Sequence, residues 1–251
     1  MTAKDAVMLP AHVWRAQSLG HTPEPGLPSG FASLDAELPG NGWPLGTLTE
    51  LIAREPGVGE LRLLMPCLRQ ISREGRVIVL LAPPHLPYGP ALSSFGIDLQ
   101  RLLIVQATQA ADRLWAVEQT LKSASFGCLL AWLSPERTRP EHLRRLQLAA
   151  QGTQGPVFLF RSLAAQFESS PAPLRLLLLP RAGQTLSMQI LKRRGPVLTQ
   201  PLLLDLPQPA QTIRLRARPV SDPMASDRAS LRTIHARQDA SRPRLPSPSL
   251  N

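Results

Sequence analysis

With 251 residues, 43% of them hydrophobic, the chain can bury a sizeable core, and its net charge of +10 and sequence pI near 11.2 favour an anionic partner. Arginine far outnumbers lysine, a balance that points to nucleic acid or a nucleic-acid-bound protein in preference to the bland alternative of a GC-biased genome rich in Arg and Pro codons. Cys67 and Cys128 sit in apolar runs, the five histidines are scattered, and no apolar run reaches the ~18 residues of a membrane span, which argues against a disulfide scaffold, a metal centre, a His-based hydrolase and a membrane anchor.

Residues 1–28 read as an N-terminal arm with one short helix, Ala11–Leu19, ended by the prolines of His21–Pro28. Met1–Pro10 shows no basic segment leading into an apolar one, so no signal peptide is expected and the expected compartment is the cytoplasm, near the nucleoid. Residues 29–206 read as one α/β unit. A short helix is expected over Phe31–Leu38, then a turn at Pro39–Gly42, then a strand at Leu48–Ala53. A helix over Glu60–Ser72 follows from Leu61, Leu64, Leu68 and Ile71 at helical spacing. Val77–Leu81, Leu102–Val105, Phe126–Leu133 and Val157–Phe160 are continuous apolar runs, as in strands buried on both faces. Helices at Ala110–Ser123 and Pro140–Gln151 separate the later ones. Such alternation with long connections predicts a mostly parallel central sheet flanked by helices. Leu174–Leu179 and Leu186–Leu191 enclose the turn Pro180–Gln184 and predict an antiparallel hairpin that extends the sheet. Residues 207–251 hold eight arginines, seven prolines and no Phe, Trp or Tyr, too little apolar surface to offset ordering entropy, so a disordered basic tail is expected.

The turn between the first strand and its helix is Arg54-Glu-Pro-Gly-Val-Gly59, followed by Glu60. A working phosphate loop needs glycines for close backbone approach, a lysine on the β/γ oxygens and a hydroxyl for Mg²⁺. Gly57 and Gly59 are present, but Gly59 or Glu60 stands at the lysine position and no Ser or Thr follows. A carboxylate there repels a triphosphate, so the loop is expected not to hydrolyse nucleotide. The two glycines either cradle an anion at the helix N-terminus or keep only an inherited turn geometry, with the second reading preferred.

Several stretches taken in order resemble bacterial RecA: Ser29-Gly30, Leu34-Asp35, Leu38-Pro-Gly-Asn-Gly-Trp-Pro-Leu-Gly46, Glu50, Arg73-Glu-Gly75, Phe95-Gly-Ile-Asp98 and Leu102-Leu103. With Val13-Trp14-Arg15 and Leu129-Leu-Ala-Trp-Leu133 added, the chain is similar to the ImuA family of translesion-synthesis accessory proteins, some of whose members are labelled SulA-like. The resemblance implies a RecA-like core in the SOS response to DNA damage. It also implies RecA or an ImuB-like Y-family polymerase homologue as partner, within an error-prone polymerase complex. By the same resemblance the water-activating glutamate falls on Pro84, the Walker-B-like aspartate on Trp132 and the phosphate-sensing amide on Arg161 or its neighbour Ser162. With lysine, hydroxyl, glutamate and aspartate all replaced, no catalytic residue, cofactor or metal is expected.

Lys192-Arg193-Arg194 is the densest basic cluster, open to DNA phosphates, to an acidic neighbour or merely to solvent. Arg214, Arg216 and Arg218 alternate with Ile213, Leu215 and Ala217 and could lie along DNA or add a strand to a partner's sheet. Arg137, Arg139, Arg144 and Arg145 read as a solvated helix face, and Tyr88 as a weak sign of a base pocket. The function expected from the sequence is a non-catalytic accessory factor of translesion synthesis. Two alternatives stand beside it, a SulA-type division inhibitor acting on the tubulin-like division ring and a nucleotide-binding ATPase with an unusual loop.

Overall fold

Six short parallel strands and two antiparallel ones form a single mixed sheet in the computed structural model, which describes residues 25–134, 138–196 and 198–208. The expected helix at Ala11–Leu19, Trp14, Arg137 and the tail arginines Arg214, Arg216 and Arg218 lie outside the described residues. The strands are β1 (Leu48–Ala53), β2 (Ile78–Leu81), β3 (Leu102–Val105), β4 (Cys128–Trp132), β5 (Val157–Ser162), β6 (Leu174–Pro180), β7 (Thr185–Lys192) and β8 (Leu202–Asp205). Their spatial order is β3-β2-β4-β5-β1-β6-β7-β8. All pairs from β3 across to β6 are parallel, and β7 and β8 close that end antiparallel. Every residue of β2 and β4 is buried, which is why these strands read as unbroken apolar runs rather than as alternating ones.

Helices cover both faces. α2 (Glu60–Arg73) sets Leu63, Leu64, Cys67, Leu68 and Ile71 into a core shared with Leu51, Leu80, Leu130, Phe158 and Trp43. The Trp43 ring meets Phe158 edge-on, with centroids 5.1 Å apart. Pro66 lies inside α2, where it removes a backbone donor, and Gly30 packs directly on it. Gly30 has φ +87°, and a Cβ there would fall 2.3 Å from Pro66 Cβ. On the other face α4 (Ala110–Ser123) and α5 (Pro140–Ala150) bring Val117, Leu121, Leu143, Leu146 and Ala150 against Leu48, Val79, Leu129 and Leu159.

The departures from expectation are local. The first helix, α1, spans only Ala32–Asp35, because the Asp35 carboxylate turns back to accept the Ser29 N–H (2.8 Å) and Pro39-Gly40 follows. A six-residue helix, α3 (Gly89–Ser94), occupies a stretch that its prolines mark as loop. β8 adds one more strand beyond the expected hairpin, pairing Leu202–Asp205 antiparallel with Thr185–Met188. Leu27 and Trp43 exchange backbone hydrogen bonds of 2.9 and 2.7 Å, so Leu27, within the stretch read as arm, packs with the sheet unit.

Candidate functional site

β1 and α2 enclose the loop that carries Gly57 and Gly59 at the carboxyl edge of the parallel strands. The chain leaves β1 toward the α2 face but leaves β4, on the far side of β5, toward the α5 face, so the crossovers change face across this edge, the kind of place where such sheets bind ligands. Gly59 caps α2 with φ +105°, and a Cβ there would lie 2.5 Å from Leu206 Cδ1. Gly57 also has positive φ, +90°, with open space around it. Its N–H donates to Glu60 Oε1 at 2.8 Å. A backbone amide that an incoming phosphate would need is thus held by the chain's own carboxylate, which favours the turn-geometry reading of the two glycines. Glu60 is only 6% exposed, and its Oε2 is buried without a hydrogen-bond partner among the described residues.

Beside Glu60 lies a cavity of about 210 Å³ with walls that include Leu51, Arg54, Trp132, Phe160 and Leu178. Trp132 and Phe160 are register neighbours on β4 and β5, and their rings stack 4.2 Å apart at 11°. Two aromatic rings therefore fill the edge where the RecA pattern would place a metal-binding carboxylate. The remaining space is below the ~300 Å³ typical of small-molecule pockets and does not suit a nucleoside triphosphate.

Arg161 has a structural partner that the sequence did not reveal. Glu50, wholly buried on β1, stands opposite Arg175 on β6 and one pleat from Arg161 on β5. Its carboxylate accepts from Arg175 Nε at 2.6 Å, from Ser170 Oγ at 2.7 Å and from Arg161 Nη1 at 3.4 Å. Arg161 also binds Glu168 at 2.6 Å, and Arg175 donates to the Glu168 and Ala165 carbonyls. The detectable signal was a charged residue interrupting each of three apolar strands that turn out to be adjacent.

The expected basic cluster divides. Arg193 pairs with the Glu37 carboxylate at 2.5 Å and donates to the Glu37 and Pro196 carbonyls, clipping the end of β7 to the turn after α1. Lys192 donates to the Ser170 carbonyl at 2.8 Å, and Arg194 is exposed. Tyr88 precedes α3 and is 66% exposed.

A second surface feature lies on the opposite face. Trp115 on α4 is 65% exposed beside a shallow groove of about 530 Å³ between α4 and α5, lined also by Leu114, Glu118, Arg139, His142 and Arg145. Arg145 is therefore not simply solvated: it binds the Glu118 carboxylate, which Lys122 also reaches at 2.9 Å. The hydrogen bond from Lys122, then Arg145, holds Glu118 below the ordinary carboxylate pKa, against the opposing effect of burial. Among the described residues no three His, Cys, Asp or Glu side chains cluster as metal ligands, and no helix is long and apolar enough to cross a membrane.

A family model described as "Cell division inhibitor SulA" matches residues 46–155, the segment from just before β1 through α5. Residues 46–155 resemble SulA. The chain is 29% identical over 111 residues to the cell division inhibitor SulA of Edwardsiella piscicida, covering 44% of this chain and 65% of that protein. To SulA of Klebsiella aerogenes it is 27% identical over 118 residues, with 46% and 69% covered. The chain thus spans about two thirds of the length of these relatives. They are named as division inhibitors, so the SulA-type alternative is supported better than the ImuA reading. The expectation of a P-loop-type factor of DNA repair and translesion synthesis is corrected accordingly. The physical reason for the misreading is that the quoted motifs lie largely in turns and strand starts, which report chain geometry rather than a partner.

Proposed function

We propose that this protein is a non-catalytic inhibitor of cell division that acts by binding a protein of the division machinery, the tubulin-like ring protein being the expected target. The observation that carries the reading is the similarity of residues 46–155 to proteins named division inhibitors. The Glu60 carboxylate seated on the loop amide supports a binding role over phosphoryl transfer. The frame itself reads as RecA-like, supported by the motifs from Ser29 to Leu103 falling on a parallel sheet of matching α/β alternation.

The α4–α5 ridge is the preferred contact surface. It lies inside the matched segment and presents Trp115, a residue type enriched in interface hot spots, beside Arg139 and Arg145. Induced expression of the full chain is expected to give filamentous cells, and purified protein is expected to co-pellet with polymers of the ring protein. Trp115→Ala is expected to abolish both effects while leaving the melting temperature within about 2 °C, since the ring is mostly exposed. Cells of normal length at high soluble expression, together with no co-pelleting, refute the proposal.

A further inference from the structure

The crevice at the carboxyl edge of β1, β4 and β5 carries a chemistry of its own. Its charged lining side chains are Arg54, Glu55, Glu60 and Arg161. Arg161 is already neutralised by Glu50 and Glu168, which leaves one cation against two carboxylates. Glu60 spends Oε1 on the Gly57 amide, while Oε2 is buried with no partner among the described residues. A buried carboxylate oxygen without a donor is costly, so this one calls for a donor from elsewhere. Beside it the stacked Trp132 and Phe160 supply an apolar aromatic wall. The cavity of about 210 Å³ has room for one small ring system.

We propose that this crevice is a binding site for a small planar organic cation bearing N–H donors, of the arylamidine or protonated amino-heterocycle class. Glu60 Oε2 accepts the charged N–H, and Trp132 with Phe160 holds the ring. The site stands independently of the division-inhibitor reading, because it uses the sheet edge rather than the α4–α5 ridge.

Benzamidine tests this, with its neutral isostere benzamide and ATP as comparison probes. Calorimetric titration of the full chain is expected to show saturable one-site binding of benzamidine. Benzamide should bind at least about tenfold more weakly, as expected on losing a charged hydrogen bond. ATP should neither bind nor displace benzamidine. In Glu60→Gln the preference for benzamidine over benzamide is expected to collapse toward unity, a ratio that a purely structural role for Glu60 would leave unchanged. Should that variant not fold, amide chemical-shift mapping on the unaltered protein decides instead, with perturbations expected at Gly57, Gly59, Glu60 and Phe160. No saturable binding up to the probe's solubility, equal affinity for both probes, or perturbations centred elsewhere overturns the proposal.

Discussion

Replacing Glu50 by Gln tests whether the buried charges of β1, β5 and β6 act as one unit. Gln keeps the side-chain volume, so little packing is lost, but the negative charge at the centre of the network disappears. Arg161 and Arg175 have side chains only 2% and 8% exposed, while the wholly buried Glu50 carboxylate serves both. After the substitution Arg161 keeps Glu168, itself 42% exposed, and Arg175 keeps only carbonyl oxygens. One guanidinium charge is then left buried without a counter-ion. Removing one partner of a buried pair costs about 3–5 kcal/mol. Against a total stability of about 5–15 kcal/mol, that is about a fifth or more of what holds the fold. With a urea m-value of about 2 kcal/mol/M, the unfolding midpoint should fall by about 1.5–2.5 M. The informative control removes every charge of the unit at once, as Glu50→Leu, Arg161→Leu and Arg175→Met. Because desolvation of ions opposes their attraction, this triple variant should recover most or all of the loss. A Glu50→Gln midpoint within about 0.5 M of the unaltered protein, or a triple variant no better than the single one, would refute the reasoning.

Gly57→Ala and Gly59→Ala separate backbone strain from collision. Both glycines have positive φ, so each alanine should cost about 1–2 kcal/mol, but only at Gly59 must Leu206 also move, and that variant should melt lower. Burial pushes both cysteine thiols up, Cys67 and Cys128 alike, and neither should react with a thiol reagent at pH 8 until the protein is unfolded, when two equivalents should appear at once. Fast reaction of the folded protein would contradict that burial. Glu118 has a lowered pKa, so its contribution is present above the unfolded value of 4.5 and is lost as pH falls through the lower folded value. The melting-temperature difference between the unaltered protein and Glu118→Gln should be small at pH 7, shrink with added salt and vanish on acidification below that value. A difference that widened on acidification would reverse the assigned sign.

The parallel core was legible because burial on both faces forces continuous apolar runs, and Val77–Leu81 and Phe126–Leu133 needed no tertiary knowledge to be read as strands. α3 was hidden by its short length and by the prolines around it, and β8 by four residues that gain an ordered ladder only through β7. The candidate site was half legible. That no lysine or hydroxyl follows the glycines could be read from Gly57-Val-Gly-Glu60, whereas the use made of Glu60 could not, since the Gly57 contact depends on loop geometry. Trp132 and Phe160 were each visible as apolar residues in strands, yet their stacking requires that β4 and β5 be neighbours in register. The same holds for Glu50 and Arg175, 125 residues apart in sequence and directly opposed in the sheet. The partners of the charges were hidden for a related reason. The total of +10 suggests a nucleic-acid surface, but within the sheet unit Arg161, Arg175, Arg193 and Arg145 are each committed to a carboxylate of the same chain. Net charge records how many cations a chain carries, and only the fold assigns them partners.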